Sequence, residues 1–435
     1  MRIVAFGVGF GLLAAALLAL LWPKPPIYQV PSQTFHSVLV IPDAKANESL
    51  MHLVFPSGEA ANPYEEGLAH YVEHLAFLSA FHTPAAGWDH HSNAWTSAFS
   101  TVYRRAIGPE GMGSALRELT SVAEPISLEQ RFALEERDIV LREYERSLAE
   151  HTLYPALRDV DQTLYGAGGL SRSVIGAPNE IAGFSLDDAR ALHQQSHRLS
   201  QATLLIYGDV NKAEVKQALT RLPASPKEQR SVPPVWVAPA PLSDRRAYPL
   251  DGLTEGTFLY RKIVPLGDCG TPAECSMILR IAYAALDSTR EGGLAGPLRF
   301  DAFIARRFSL GLDMIAGQYA LLSFEAAPDT GVSLAELERV FFETLKGTLR
   351  AGLPHDTIER TRARIVADLD DIPEDARPSR THDHVLFAIS TANPIVPLVE
   401  LRQAAETVST LDVNAFLTTL LGDGREVTRL ISVGG

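Results

Sequence analysis

The stretch Asn62-Pro63-Tyr64-Glu65-Glu66-Gly67-Leu68-Ala69-His70-Tyr71-Val72-Glu73-His74-Leu75-Ala76-Phe77-Leu78-Ser79 decides how this chain reads. Asn62 is a favourable N-cap, Pro63 suits the first helical position, and Glu65 stands three residues after the cap. A helix is therefore expected from about Pro63 to Ser79. On that helix His70 and His74 lie one turn apart and share a face. Two imidazoles presented this way can take two corners of a zinc tetrahedron. Glu73 is three residues from His70 on the same side, placed to accept a proton from a metal-bound water rather than to ligate. The H-x-x-E-H pattern arises by chance in roughly a few per cent of chains with this histidine content, so its surroundings have to raise its weight.

They do. Gly67-Leu68-Ala69-His70-Tyr71-Val72-Glu73-His74-Leu75-Ala76-Phe77 resembles the active-site helix of the insulinase/pitrilysin zinc peptidases, the inverzincins. A third ligand is then expected from another helix. Ser127-Leu128-Glu129-Gln130 reads as a capping box opening a helix to about Leu148. On it Glu136 and Glu143 stand two turns apart and share a face, which by itself is also what a charged, exposed helix shows. The resemblance decides between these readings. The family carries E-x6-E on this helix, which implies Glu143 as the third metal ligand and Glu136 as a supporting residue beside the catalytic Glu73. Three protein ligands, His70, His74 and Glu143, around one zinc ion per chain leave a fourth position for water, the mark of a catalytic site.

The segment Asn93-Ala94-Trp95-Thr96-Ser97-Ala98-Phe99-Ser100-Thr101-Val102-Tyr103 is rich in β-branched and aromatic residues and is expected as one strand. It resembles the family's N-A-x-T-S…T-x-Y segment, an edge strand beside the metal that pairs with the substrate backbone. That implies substrate-binding roles for Asn93, Ala94 and Thr96. Before it, Phe35–Ile41 and Ser49–Phe55 read as strands. Residues 82–92 read as a loop whose His90 and His91 stand where relatives often have glycines and are taken as loop histidines rather than ligands.

The whole chain bounds these readings. Its 435 residues imply two or more domains, and 46% hydrophobic with 21% charged residues supplies an ordinary core. The net charge of −13 argues against nucleic acid as a partner. It fits a basic substrate, or simply a solvated acidic surface. Ile3–Trp22 is a 20-residue run without charge between Arg2 and Pro23-Lys24-Pro25-Pro26, long enough to cross a bilayer. It is read as an uncleaved membrane anchor with the catalytic part exported on the periplasmic side of the cell envelope. The rival is a cleaved signal peptide and a secreted protein. In an exported protein Cys269 and Cys275 could close a small disulfide loop or remain free thiols.

Further along, Ser173–Ile181 resembles the family segment after the ligand helix. Ser185 is expected to cap a helix to about Gln195, and Ala202–Asp209 to form a strand. His197-Arg198-Leu199-Ser200 stand where the family usually has a tyrosine and a proline. Seven prolines between Pro223 and Pro249 mark 222–250 as a linker. This divides the chain into an N-terminal segment 1–26, a catalytic domain 27–221, the linker, and a second, non-catalytic family-like domain 251–435. In the latter, Thr257–Val264, Ala320–Ala326 and Val427–Val433 read as strands, and Ser333 caps a helix to about Leu349. The halves end alike, Leu204–Gly208 against Arg429–Gly434, an internal repeat, and no second H-x-x-E-H occurs. Relatives often carry an Arg and a Tyr near a G-L-x-Y segment to hold substrate; around Gly311 arginines remain but the tyrosine is missing.

The expected architecture is thus α+β: two related domains, each a sheet with helices packed on one side. The expected function is a zinc-dependent endopeptidase acting on peptides or unfolded segments, as a homodimer or paired with a related family chain. The alternative is a non-catalytic partner or scaffold subunit of a heteromeric peptidase.

Overall fold

The computed structural model describes residues 27–81, 92–226 and 234–434. The first half runs β1 (Tyr28–Gln29), β2 (Ser37–Pro42), β3 (Leu50–Phe55), a 3-10 turn at Glu59–Ala61, α1 (Leu68–Phe81), β4 (Ser92–Thr96), β5 (Thr101–Ala106), α2 (Met112–Thr120), α3 (Gln130–Glu150), α4 (Tyr154–Tyr165), α5 (Pro178–Ile181), α6 (Leu186–Ser196), β6 (Thr203–Gly208) and α7 (Lys212–Leu219). The second half runs β7 (Leu242–Leu250), β8 (Thr257–Pro265), α8 (Pro272–Leu286), β9 (Ala305–Ile315), β10 (Tyr319–Pro328), α9 (Leu334–Ala351), α10 (His355–Asp370), α11 (Arg377–Ser390), α12 (Leu398–Thr407), α13 (Thr410–Thr419) and β11 (Arg425–Val433).

The two sheets have one topology. The first is ordered β1-β2-β6-β3-β5-β4 and the second β7-β11-β8-β10-β9. In each, the closing strand runs parallel to the opening one, β6 to β2 and β11 to β7, and antiparallel to the next, β3 or β8. The internal repeat read from the two chain ends is therefore a repeat of fold. The class is α+β.

Alternation along the strands shows where the layers lie. Val38 and Val40 of β2, Met51 and Leu53 of β3, and Leu204 and Ile206 of β6 pack with Met112, Leu116 and Leu119 of α2. The residues between them face the other way: Leu39, Ile41 and Leu205 pack on Val385, Leu386 and Ile389 of α11, a helix of the second half. The converse holds for the second sheet. Phe258 and Tyr260 of β8 face Phe341 of α9, whereas Leu259, Ile263, Val427 and Ile431 pack on Ala156, Val160 and Leu164 of α4, a helix of the first half. Each half thus lends one helix to the other's sheet. Strands covered on both faces are apolar almost without break, which is why β6 reads Thr203-Leu204-Leu205-Ile206. Charges fasten the α4 side. The guanidinium of Arg429, fully buried, pairs with Asp159 of α4 and Asp244 of β7, and Arg261 reaches Asp161 at 3.3 Å.

Several expectations need correction. The helix carrying the H-x-x-E-H motif begins at Leu68, not Pro63, and Asn62 does not cap it. The Asn62 side chain instead donates to Glu59 and to the Glu65 carbonyl, and accepts from the Tyr64 amide, a tight turn that uses up the capping atoms. The strand expected over Asn93–Tyr103 is two strands, β4 and β5, with a tight connection at residues 97–100 in which the Ser97 hydroxyl accepts from the amides of Phe99 and Ser100. The capping box at Ser127 does not form: the cap is Glu129, with no side-chain hydrogen bond. Ser185 and Ser333 do cap their helices, accepting from the Asp188 and Glu336 amides. The proline-rich stretch is only partly connection, since residues 242–250 are β7, paired along its length with β11, and Trp236 and Val237 are buried. Pro249 fits there because β7 is an edge strand. Cys269 and Cys275 are bridged at the start of α8.

The membrane reading is also corrected. Among the described residues no helix is long and apolar enough to cross a membrane. The longest of them, α3, carries Glu135, Glu136, Arg137 and Asp138 in succession, charges that hydrocarbon does not tolerate. The run Ile3–Trp22 on which the anchor rested lies outside the described residues, as do His90 and His91 of the loop.

Candidate metal centre

α1 is almost apolar all round because it is enclosed. Tyr71, Val72 and Leu75 pack against Ala133 and Val140 of α3 and Ala189 and Leu192 of α6, while Ala76 joins the core under the sheet. The Tyr71 hydroxyl donates to the Ala133 carbonyl at 2.5 Å, tying α1 to α3 across 62 positions of sequence. The entry to α1 is fixed by backbone contact. Gly67 has φ +88° and faces Gly176, whose Cα would lie 2.6 Å from a Cβ at position 67. Only glycine fits at this crossing, on both counts. Below it Glu59, fully buried, pairs with Arg172 at 2.9 Å and accepts from Asn62.

This framework brings three of the proposed ligands together. His70, His74 and Glu143 each offer a donor atom within 4.8 Å of the others. His70 Nε2 and His74 Nε2 are 3.2 Å apart, and each is 3.7 Å from Glu143 Oε2. Donors at about 2.0–2.2 Å from zinc, at tetrahedral angles, stand about 3.4 Å apart, so the trio fits such an ion in donor type and in spacing. Glu136 does not join the trio. Its Oε2 accepts from His74 Nδ1 at 2.9 Å, which holds that ring in the tautomer whose Nε2 lone pair faces the site. Among the described residues His70 has no such support: its Nδ1 is buried without a hydrogen-bond partner there.

Electrostatics separate the roles. Burial lowers the His70 pKa to about 3, with His74 adding to it, so its ring is neutral and its lone pair available. Burial also works against charge on His74, but the Glu136 hydrogen bond and the nearby Glu73 and Glu143 carboxylates outweigh it and raise its pKa. Glu73, 6% exposed, is pushed by burial up to about 7, against the opposing pull of His74 and the Thr96 hydroxyl. A carboxyl poised near neutrality can take and return a proton.

The residues expected to contact substrate, Asn93, Ala94 and Thr96, lie on β4. β4 is the last strand of its sheet, and among the described residues only its inner edge is paired, Asn93 opposite Arg104, Ala94 opposite Tyr103 and Thr96 opposite Thr101. Thr96 touches the site, its Oγ1 donating to Glu73 Oε2 at 3.2 Å. Asn93 is exposed and Ala94 half-buried. A cavity of about 970 Å³ lies elsewhere, where the halves meet, lined by Ser37, Phe99, Thr203, Trp236, Gln318 and Asn393. None of the ligand, Glu73 or β4 residues lines it.

Sequence reasoning missed the Glu59–Arg172 pair, the Tyr71–Ala133 bond and the Gly67–Gly176 crossing. Only the last had a signal, a glycine within each of the two segments that carry the resemblance.

Comparison with known proteins follows the same lines. Residues 37–177 match the family model described as Insulinase (Peptidase family M16). Protease 3 of Escherichia coli (strain K12) is 31% identical over 115 residues, 24% of this chain and 12% of that protein, so the match spans about an eighth of that relative. The mitochondrial-processing peptidase subunit beta of Saccharomyces cerevisiae is 24% identical over 184 residues, 40% of this chain and 39% of that one. A solved protease from Helicobacter pylori superposes with TM-score 0.77 at 15% identity, covering 94% of this chain and all of that one. A peptidase M16 inactive domain from Pseudomonas fluorescens superposes with TM-score 0.73 at 13% identity, covering 94% and 98%. At such identities the superpositions establish the fold.

Proposed function

We propose that this chain, a half-length M16-like protein, is a zinc-dependent endopeptidase acting on extended peptides or unfolded protein segments. The observation that carries the reading is the convergence of His70, His74 and Glu143 beside the buried carboxyl of Glu73. Zinc bound there, one ion per chain, supplies a polarising charge for the scissile carbonyl and lowers the pKa of water to about 7. The chain's own groups do the rest. Glu73 takes the proton of the attacking water and returns it to the leaving amine. Glu136 fixes the His74 ring. The outer edge of β4 pairs with the peptide backbone, with Asn93 and Ala94 as its contacts. In this reading residues 27–221 form the catalytic domain, and the second domain, expected over 251–435, takes in β7 from the end of the proline-rich stretch and so begins at 242; among the described residues it holds no second metal site.

The proposed working form is a dimer, either two-fold symmetric or paired with a related chain. The exposed edge of β4 and the missing tyrosine near Gly311 both favour a partner that covers the site and supplies substrate contacts. The likeness to a relative named as a subunit is in keeping with that. The rival reading, a non-catalytic partner, draws on the likeness to an inactive domain; the complete trio with Glu73 stands against it.

Metal analysis of the purified chain and a peptide-library digest, wild type against Glu73→Gln, test the proposal. About one zinc per chain in both, with cleavage only in the wild type, is expected. A wild type that binds zinc but cleaves nothing, alone or with a partner, supports the rival.

A further inference from the structure

We propose that Thr96 is the positioning residue of Glu73, so that the strand offered to the substrate also aims the base. The inference rests on the peptidase reading above. Among the described residues the Thr96 hydroxyl is the one hydrogen-bond partner of the Glu73 carboxylate, at 3.2 Å. A carboxylate on a helix has free rotation about its last bond, and a single fixed donor decides where its second oxygen points.

The hydroxyl is itself held. β4 and β5 set Thr96 directly opposite Thr101, and the two Oγ1 atoms are 3.4 Å apart. Thr101 is 1% exposed and donates its only hydroxyl proton to the Ser57 carbonyl at 3.1 Å. Thr101 therefore has no proton left for its neighbour and can only accept from it. Of the two acceptors open to Thr96, the carboxylate oxygen of Glu73 at 3.2 Å is nearer than Thr101 Oγ1 at 3.4 Å and, when ionised, the stronger, so the Thr96 proton goes to Glu73. A hydroxyl also has lone pairs, so it donates to the carboxylate and accepts from the carboxylic acid. Thr96 can follow Glu73 through both halves of a proton shuttle without rearrangement, which neither an amide N–H nor an ammonium could do. Peptide register on β4 and the aim of the base are then fixed by the same five-residue strand.

Thr96→Val keeps the shape and removes the hydroxyl; Thr96→Ser keeps the hydroxyl. With a cleavable peptide and zinc-loaded full chain, Thr96→Val is expected to lower kcat by about 10- to 100-fold, the range spanned by one hydrogen bond to a charged group. KM stays within about twofold, and Thr96→Ser restores most of kcat. Zinc content and melting temperature stay at the wild-type values in both. In a Glu73→Gln background, which binds peptide without cutting it, adding Thr96→Val leaves the peptide Kd unchanged. A wild type that cuts, with Thr96→Val retaining its kcat, overturns the inference alone. So does a weakened peptide Kd in the double variant, which makes Thr96 a substrate contact. A wild type that cuts no peptide overturns the peptidase reading and this inference with it.

Discussion

Replacing Glu136 by Gln separates support of a metal ligand from ligation itself. The Glu136 side chain is 9% exposed and its Oε2 lies 2.9 Å from His74 Nδ1, whereas the metal-facing atom of that ring is Nε2. Gln has the same shape, and its carbonyl oxygen still accepts from Nδ1–H, so the ring keeps its tautomer. What it loses is the negative charge that makes Nε2 a better donor. Loss of such an outer partner costs about 10- to 100-fold in metal affinity, or about 1.4–2.8 kcal/mol. Glu136→Ala goes further, leaving the ring N–H buried without an acceptor, which adds about 1–3 kcal/mol to the cost of folding. Glu143→Ala and His74→Ala remove a donor each and should leave no stoichiometric zinc. The assay is zinc competition against a chromophoric chelator at fixed pH on metal-free protein, with Kd ordered wild type, Glu136→Gln, then the ligand variants. A Kd for Glu136→Gln equal to wild type would refute the supporting role, and one as poor as that of His74→Ala would make Glu136 a ligand.

The remaining predictions concern the framework. His52, 2% exposed, lies 3.4 Å from His382 of α11, and burial, with His382 and Arg104, lowers its pKa to about 3. Its folded pKa is below the unfolded value of 6.5, so its contribution is lost as pH falls from about 6.5 towards 3; between pH 7 and 5 this is about 2 kcal/mol. Urea midpoints should drop accordingly, and His52→Gln should flatten the slope; an unchanged slope refutes the assignment. Asp159→Ala leaves the buried Arg429 with Asp244 as its remaining carboxylate partner, beside the Thr428 carbonyl and the Thr163 hydroxyl, and should cost about 3 kcal/mol in unfolding experiments, whereas a loss under 1 kcal/mol would mean water replaces the carboxylate. Replacing Cys269 and Cys275 by Ser opens a loop of about seven residues and should cost about 2 kcal/mol, with the wild type two mass units lighter than its reduced form.

What could be read from the sequence was what is local. Cap signals, although they set its start at Pro63 rather than Leu68, and the H-x-x-E-H spacing pointed to α1 and its two histidines, and β2, β3, β6, β8, β10 and β11 appeared as apolar runs within a few residues of their ends. Glu143 and Glu136 could not be told from other acids on α3 by pattern; only the resemblance picked them out. The misses have a shared cause. Asn62, Pro63 and Glu65 carry cap chemistry, but Glu59 and the turn it holds claim the Asn62 side chain first. The hydroxyls at 97–100 turn the chain where β-propensity alone runs straight through. β7 was hidden because its prolines and charges are those of an edge strand, and an edge strand resembles a linker when only one of its sides needs a partner.

The exchange of helices between the halves bears on what the second half is for. It brings no ligand to the trio, yet α11 covers the face of the first sheet that α1 and α2 leave bare. Leu39, Ile41, Leu205 and Val385 are at most 9% exposed because of that contact. At about 1.5–3 kcal/mol for each buried side chain, the four together contribute about 6–12 kcal/mol as an upper estimate. That is as large as the whole stability of an ordinary domain, about 5–15 kcal/mol. The first sheet is therefore not a self-sufficient layer with an appendage. β3, which carries His52 against α11, also pairs with β5, and β5 holds Thr101 beside Thr96 and so beside Glu73. A half that brings no residue to the candidate site can be indispensable to the half that holds it, by supplying the surface against which the site's own sheet is packed.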